Sequence, residues 1–330
     1  MKAIVVEQPG VYSFTEVKDP SPDERHLVVR VRACGICGTD LHIADGEFAP
    51  TSYPIIPGHE FSGEVVEVGK RVRESLEVGA RVAIDPSLFC GECEPCRRGR
   101  GNLCANWGAI GDTVDGAFAE YVSVPSANVY EIPESMSFPD AALVEPLSCA
   151  VHGVHRLGSV LGNSILVVGA GTMGLLLMQL LLRAGASSIT VVDRVAARLD
   201  VARKLGATAV SGSLDGLSSE RFDVVVDATG VASAMEKAFA LVSRGGRAMV
   251  FGVAPSDASI AVSPFRIYND EITIVGSMAV LHSFGDALHL LAKGAVRTSE
   301  LLARPRPLDS YAEALEFVKG GNGIKTQLAP

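Results

Sequence analysis

"SILVVGAGTMG" (164–174) decides the fold. Five strand-type residues, Ser164 to Val168, run directly into glycines at 169, 171 and 174. An apolar helical pattern, "TMGLLLMQLLLRAG", opens at Thr172. This is the layout of a dinucleotide turn. Gly169 allows the tight bend, Gly171 lets a pyrophosphate approach the backbone, and Gly174 lets helix and strand pack closely. The phosphates then face the positive end of the helix dipole. Thr172 and Met173, in the first turn, are grouped with the glycines as cofactor-binding residues.

Working outward, "SITVVD" (188–193) reads as the next strand and ends on Asp193, 19 residues after Gly174. A carboxylate there accepts hydrogen bonds from ribose hydroxyls and repels a 2'-phosphate, so NAD is expected ahead of NADP. Arg194 and Arg198 follow closely and keep NADP as the alternative. The helix "VAARLDVARKLG" and the runs "FDVVVDATG", "RAMVFGV" and "EITIVGSM" continue the alternation. Nearly continuous Val/Ile strands suit a parallel sheet covered on both faces. Alternating strands and helices imply right-handed crossovers and a doubly wound sheet. Residues 149–295 are therefore expected to form an α/β nucleotide-binding domain.

The N-terminal part has a different texture. "HLVVRVRACG", "FSGEVVEVG", "ARVAIDP", "FAEYVSVP" and "VYEIP" are short alternating runs closed by Gly, Pro or Asp. Residues 1–148 are expected to be a β-rich domain, in the manner of a partly closed barrel. At 330 residues the chain exceeds what one hydrophobic core usually supports, which agrees with two domains. A net charge of -9 speaks against nucleic acid as a partner. The run at 174–182 is too short to span a membrane, and residues 1–14 lack a signal-peptide layout. A cytoplasmic protein is expected, and seven cysteines in a reducing compartment favour metal over disulfides.

Four of those cysteines, Cys90, Cys93, Cys96 and Cys104, fall inside "CGECEPCRRGRGNLC" (90–104). Four thiolates close a tetrahedral zinc site and leave no position for a reactant. This loop is expected to be a structural zinc clamp, with a disulfide pair as the competing reading. A second group is scattered: Cys37, Thr39, Asp40 and His42 in "CGICGTDLH", His59 and Glu60 in "PGHEFSG", Glu145 in "ALVEPLSC". One Cys, one His and one or two carboxylates would make an open metal site. Sequence spacing alone does not unite them, and each also has an ordinary structural reading.

"GHEFSGEVVEVGKRV", "GICGTDLH", the four-cysteine lobe, "GAFAEYV", "EPLSCAVHG" and "VVGAGTMG" occur in that family's order when the chain is set beside the zinc-dependent medium-chain dehydrogenase/reductase family, which it resembles over nearly its whole length. It resembles in particular the polyol (sorbitol-type) and threonine dehydrogenase branches. The resemblance implies a GroES-like catalytic domain, a Rossmann NAD-binding domain, and a tail at 296–330 that returns to the catalytic domain. It implies Cys37, His59, Glu60 and Glu145 as catalytic zinc ligands, with water able to replace either carboxylate. Asp40 would orient His59. Thr39 and His42 would carry the substrate's hydroxyl proton through a cofactor ribose to solvent, with zinc as Lewis acid. Cys34, Cys149, His152 and His155 are given no role.

The expected reaction is reversible oxidation of a secondary alcohol of a polyol, sugar, cyclitol or amino alcohol to a ketone, by an NAD-linked zinc enzyme acting as a homodimer or homotetramer. The stretch "IDPSLFC" lacks the histidine that the threonine branch carries there, which lowers threonine as the substrate. The competing class is a catalytically silent zinc- and nucleotide-binding sensor or structural subunit. Metal content separates the two: two zinc ions per chain favour the enzyme and one favours the silent scaffold.

Overall fold

A computed structural model of the protein describes residues 1–48, 50–73 and 76–330. The chain forms two compact units, one of Met1–Ser148, Val280–Ala292 and Leu301–Pro330, the other of Cys149–Ala279 and Lys293–Glu300. The chain thus leaves and re-enters the first unit twice, more often than the single return expected at 296. The division falls inside helix Val144–Leu157, after Ser148.

In the first unit the central strand is His26–Gly35. It pairs antiparallel with Glu60–Val68, with Tyr121–Pro125 and with the C-terminal strand Gln327–Ala329. Alternation does the sorting: Leu27, Val29 and Val31 turn inward, and Arg30 and Arg32 face out. The core they join contains Phe61, Val65, Val82, Ile84 and Phe118. It is closed by Tyr311, Ala314 and Leu315 of the helix Tyr311–Lys319. Tyr311 is 1 % exposed and meets Phe118 at a ring-centroid distance of 5.2 Å. Burying these side chains is worth about 1.5–3 kcal/mol each.

Three strands meet at Gly35, which lies opposite Glu60 on one side and Gln327 on the other. That register has a local consequence. Cys37, two residues past Gly35, and Lys325, two residues before Gln327, arrive beside Glu60.

The second unit holds one parallel sheet in the order 209–211, 188–192, 164–168, 222–227, 242–250, 273–276. Numbered along the chain this is 3-2-1-4-5-6, the doubly wound dinucleotide-binding order. Ile165, Leu166 and Val167 are fully buried on the central strand, as a sheet covered on both faces requires. The helix Thr172–Arg183 buries every residue from Gly174 to Leu181. No helix of the described residues is long and apolar enough to cross a membrane.

Candidate functional site

The order reversal in the sheet falls beside strand Ser164–Val168, and the glycine turn leaves from its carboxyl end. A Cβ on Gly174 would sit 1.8 Å from the Gly169 carbonyl oxygen, so only glycine lets the helix start this close to the strand. Around Gly171 the nearest atom to such a Cβ is Arg198 Nη1 at 4.0 Å, leaving room on the side that a phosphate would approach. Asp193 is tied in place by two backbone donors, Ala170 N–H at 2.7 Å and Val195 N–H at 2.8 Å. Thr172 and Met173 stand half-buried in the first turn, and Arg194 is exposed. These residues can hold a dinucleotide.

The cysteine loop folds on itself. The sulfurs of Cys90, Cys93, Cys96 and Cys104 all lie within 4.8 Å of one another. Cys93 and Cys104 are 3.8 Å apart and Cys104 and Cys90 3.5 Å. A tetrahedron of zinc–sulfur bonds near 2.3 Å has edges of about 3.8 Å, so the loop fits zinc closely. Backbone N–H groups already point at the sulfurs: Cys93 N–H to Cys90 Sγ at 3.4 Å, Asn106 N–H to Cys104 Sγ at 3.3 Å. The N–H groups of Ala105 and Cys96 pull the Cys93 thiol down to about 6, towards the thiolate a metal takes. No disulfide forms among the described cysteines.

The scattered cluster is assembled by tertiary structure. Cys37, His59 and Glu60 bring ligand atoms within 4.8 Å of one another. Cys37 caps the helix Gly38–Asp45, which carries Thr39, Asp40 and His42. Thr39 Oγ1 lies 3.7 Å from Cys37 Sγ. His42, one turn on, is exposed, and its Nδ1 meets Glu47 Oε2 at 2.8 Å. His59 precedes the strand that Glu60 begins. A half-buried thiol with a buried imidazole and carboxylate is a donor set that zinc accepts, and the carboxylates around them supply negative potential for a divalent cation.

Three placements bear on the expected site. Glu145, 8 % exposed on helix Val144–Leu157, is not among the side chains gathered within 4.8 Å. Asp40 does not reach His59: its Oδ1 is 3.9 Å from Nδ1, while its Oδ2 accepts the Cys37 N–H at 2.7 Å. Burial pushes the Asp40 carboxyl up to about 7. The carboxylate nearest His59 is Asp112, with Oδ1 at 2.9 Å from Nδ1. Burial disfavours charge on His59, but Asp112 and Asp40 outweigh it and hold its pKa well above the ordinary value.

The third is Lys325, a residue to which the sequence alone assigned no role. Its ammonium pairs with Glu60 Oε2 and donates to the Ile36 carbonyl at 2.9 Å, with both charged side chains at most 3 % exposed. Glu60 is thus held by a buried cation as well as poised for metal. The sequence signals were faint. Lys325 is the one charge in the last run, "IKTQLAP", and Asp112 sits in "AIGDTVDG", where an aspartate reads as a turn former.

Residues 23–134 match the family described as "Alcohol dehydrogenase GroES-like domain", and residues 172–293 match "Zinc-binding dehydrogenase". D-arabinitol dehydrogenase 1 of Uromyces fabae is 37% identical over 342 residues, covering 100% of this chain and 97% of that protein. D-altritol 5-dehydrogenase of Agrobacterium fabrum is 38% identical over 324 residues, covering 96% and 95%. Among solved structures, one described as a zinc-binding dehydrogenase from Sinorhizobium meliloti 1021 bound to NADP superposes with a TM-score of 0.96 at 36% identity, covering 100% and 99%. The chain belongs to the zinc-dependent medium-chain alcohol dehydrogenase family, in its polyol dehydrogenase branch. It is an oxidoreductase.

Proposed function

We propose that the protein oxidises a secondary alcohol of a polyol or sugar alcohol to the ketone, reversibly, with a nicotinamide dinucleotide as hydride acceptor. The observation that carries this is the convergence of Cys37, His59 and Glu60 beside the Thr39 hydroxyl. The dehydrogenases of arabinitol and altritol among its relatives support the substrate class.

In this reading Cys37, His59 and Glu60 hold the catalytic zinc, and Cys90, Cys93, Cys96 and Cys104 a structural one. Bound zinc supplies Lewis-acid polarisation of the substrate oxygen. Thr39, beside Cys37, relays the hydroxyl proton, taking it up as its own hydroxyl proton passes on towards His42. His42, exposed on the same helix one turn further, releases it to solvent, and Glu47 on Nδ1 leaves Nε2 for that transfer. Glu145 serves the substrate side of the site or a water there.

The glycine turn, with Thr172 and Met173, cradles the pyrophosphate, and Asp193 takes the adenosine ribose. NAD is the preferred cofactor. Arg194 and Arg198 bear on NADP, the cofactor bound in the Sinorhizobium structure. Cysteines clustered as metal ligands suit a reducing compartment such as the cytoplasm, where the chain works as a homodimer or homotetramer.

A panel of pentitols, hexitols, cyclitols and amino alcohols, each scored by NAD and NADP reduction, tests the reading. Turnover of a polyol with NAD is expected. No turnover of any secondary alcohol, together with a single zinc per chain, would place the protein with the silent scaffolds.

A further inference from the structure

We propose that Asp112 is the positioning residue for the zinc-binding imidazole of His59, and that Asp40 instead fixes the Cys37 end of the same site. The proposal rests on the reading of Cys37, His59 and Glu60 as the catalytic zinc site.

A histidine that binds zinc through one nitrogen donates the other N–H to a carboxylate, which sets its tautomer and orientation. Two carboxylates flank His59, and geometry separates them. Asp112 Oδ1 is 2.9 Å from Nδ1 and Asp40 Oδ1 is 3.9 Å away; none of these three buried atoms has a hydrogen-bond partner, so Asp112 is the carboxylate near enough to take the Nδ1–H once a metal orients the ring. Asp40 is also committed elsewhere. Its Oδ2 accepts the Cys37 N–H at 2.7 Å and closes the first turn of its own helix. That bond fixes the backbone carrying the Cys37 thiol. The two aspartates therefore brace different ligands.

The loop that carries Asp112 is built against His59. A Cβ on Gly111 would lie 2.4 Å from the Gly58 carbonyl oxygen and 2.8 Å from the His59 nitrogen, so this loop packs backbone to backbone on the residue before the ligand. Gly111 takes φ +89°, which a side chain rarely adopts. Ala117 N–H donates to the Gly58 carbonyl at 2.9 Å, and Thr51 Oγ1 donates to the Asp112 carbonyl at 2.6 Å. Asp112 N–H donates to the Ala109 carbonyl at 3.1 Å. Every one of these contacts is to main chain, so they position the Asp112 side chain without using its carboxylate.

That carboxylate is 8 % exposed, and among the described residues His59 is the only cationic side chain paired with it. A buried carboxylate is strongly disfavoured without a partner. With Nδ1 facing Asp112, Nε2 is the nitrogen left for the cluster with Cys37 and Glu60.

The test measures zinc release from holoenzyme to a chromophoric chelator, for wild type, His59→Ala, Asp112→Asn, Asp112→Glu and Asp40→Asn. His59→Ala should lose one of two zinc ions and so marks which release phase belongs to the catalytic site. If it keeps both, the zinc-site reading falls, and this proposal with it. Asp112→Asn preserves size and all main-chain contacts. It should weaken the marked zinc about 10–100-fold and leave the cysteine-lobe zinc unchanged. Asp112→Glu, which restores a carboxylate, should recover part of that loss. Replacing the marked zinc with cobalt should show altered visible bands in Asp112→Asn, which a purely structural role would not produce. Wild-type zinc release and cobalt spectra in Asp112→Asn, or a larger loss in Asp40→Asn than in Asp112→Asn, would overturn the assignment while leaving the site itself standing.

Discussion

Two regions of this chain gather metal ligands by opposite means. The cysteine lobe takes all four donors from fifteen consecutive residues, 90–104, and its own backbone N–H groups face the sulfurs. The cluster of Cys37, His59 and Glu60 draws on a helix cap and a strand start, with Asp112 from a glycine loop and Lys325 from the C-terminal segment braced behind it. In the proposed reading the first is complete and holds structure. The second is open and braced by Asp112 and Lys325, which is what a site that must accept a reactant needs. Saturation by local thiols and support by distant ions would then be two different solutions to burying a cation.

The largest test of this contrast is His59→Ala. It should lower kcat/KM by about three orders of magnitude, the several kcal/mol a Lewis acid supplies. One zinc should be lost while the lobe keeps its own, as metal analysis would read. Turnover near wild type would erase the difference between the two regions.

Lys325→Met comes next. In the metal-free protein it leaves Glu60 buried and uncompensated, and should destabilise that form by about 3–5 kcal/mol in denaturant unfolding. Adding Glu60→Gln should return part of that loss. If the double variant is no more stable than the single one, the pair does not prop the open site.

Cys93→Ser should then lower the melting midpoint by roughly 5 °C or more. Zinc should escape from the lobe, and the per-site rate of hydride transfer in the folded fraction should stay unchanged. A normal midpoint with slowed hydride transfer would move chemistry into the lobe.

The smallest effect is expected outside both regions. Asp223 accepts from the Ser164 N–H at 2.8 Å, its main cause of a depressed pKa, and from the Ser164 hydroxyl at 2.8 Å. A depressed carboxyl contributes stability above its unfolded value and loses it as pH falls through its lower folded value. The stability gap between wild type and Asp223→Asn should therefore shrink as pH drops below about 4. A gap unchanged down that range would show that the Asp223 charge contributes nothing to stability.

Legibility in the sequence followed the same divide. The glycine turn, Asp193 and the four-cysteine lobe could be read directly because each is a local device whose spacing is its geometry. The likeness to known dehydrogenases brought Cys37, His59 and Glu60 together. It placed Asp40 on His59 and Glu145 among the ligands, whereas the structure turns Asp40 to Cys37 and leaves Glu145 outside the three-residue cluster. Motif position tells which residues stand near a site, but not which of two neighbouring carboxylates comes nearer the imidazole by about 1 Å.

By itself the sequence determined the doubly wound sheet, the dinucleotide turn and the gathering of four thiols in one loop, because periodicity and short-range spacing act through the local backbone; the class of chemistry came from the family likeness. Only the tertiary structure decided that Asp112 faces His59 and that Lys325 pairs with Glu60. These contacts span 53 and 265 positions of chain. They depend on strand register at Gly35 and on glycine packing at Gly58 and Gly111, and no local pattern encodes a distance set by how separate segments fit together.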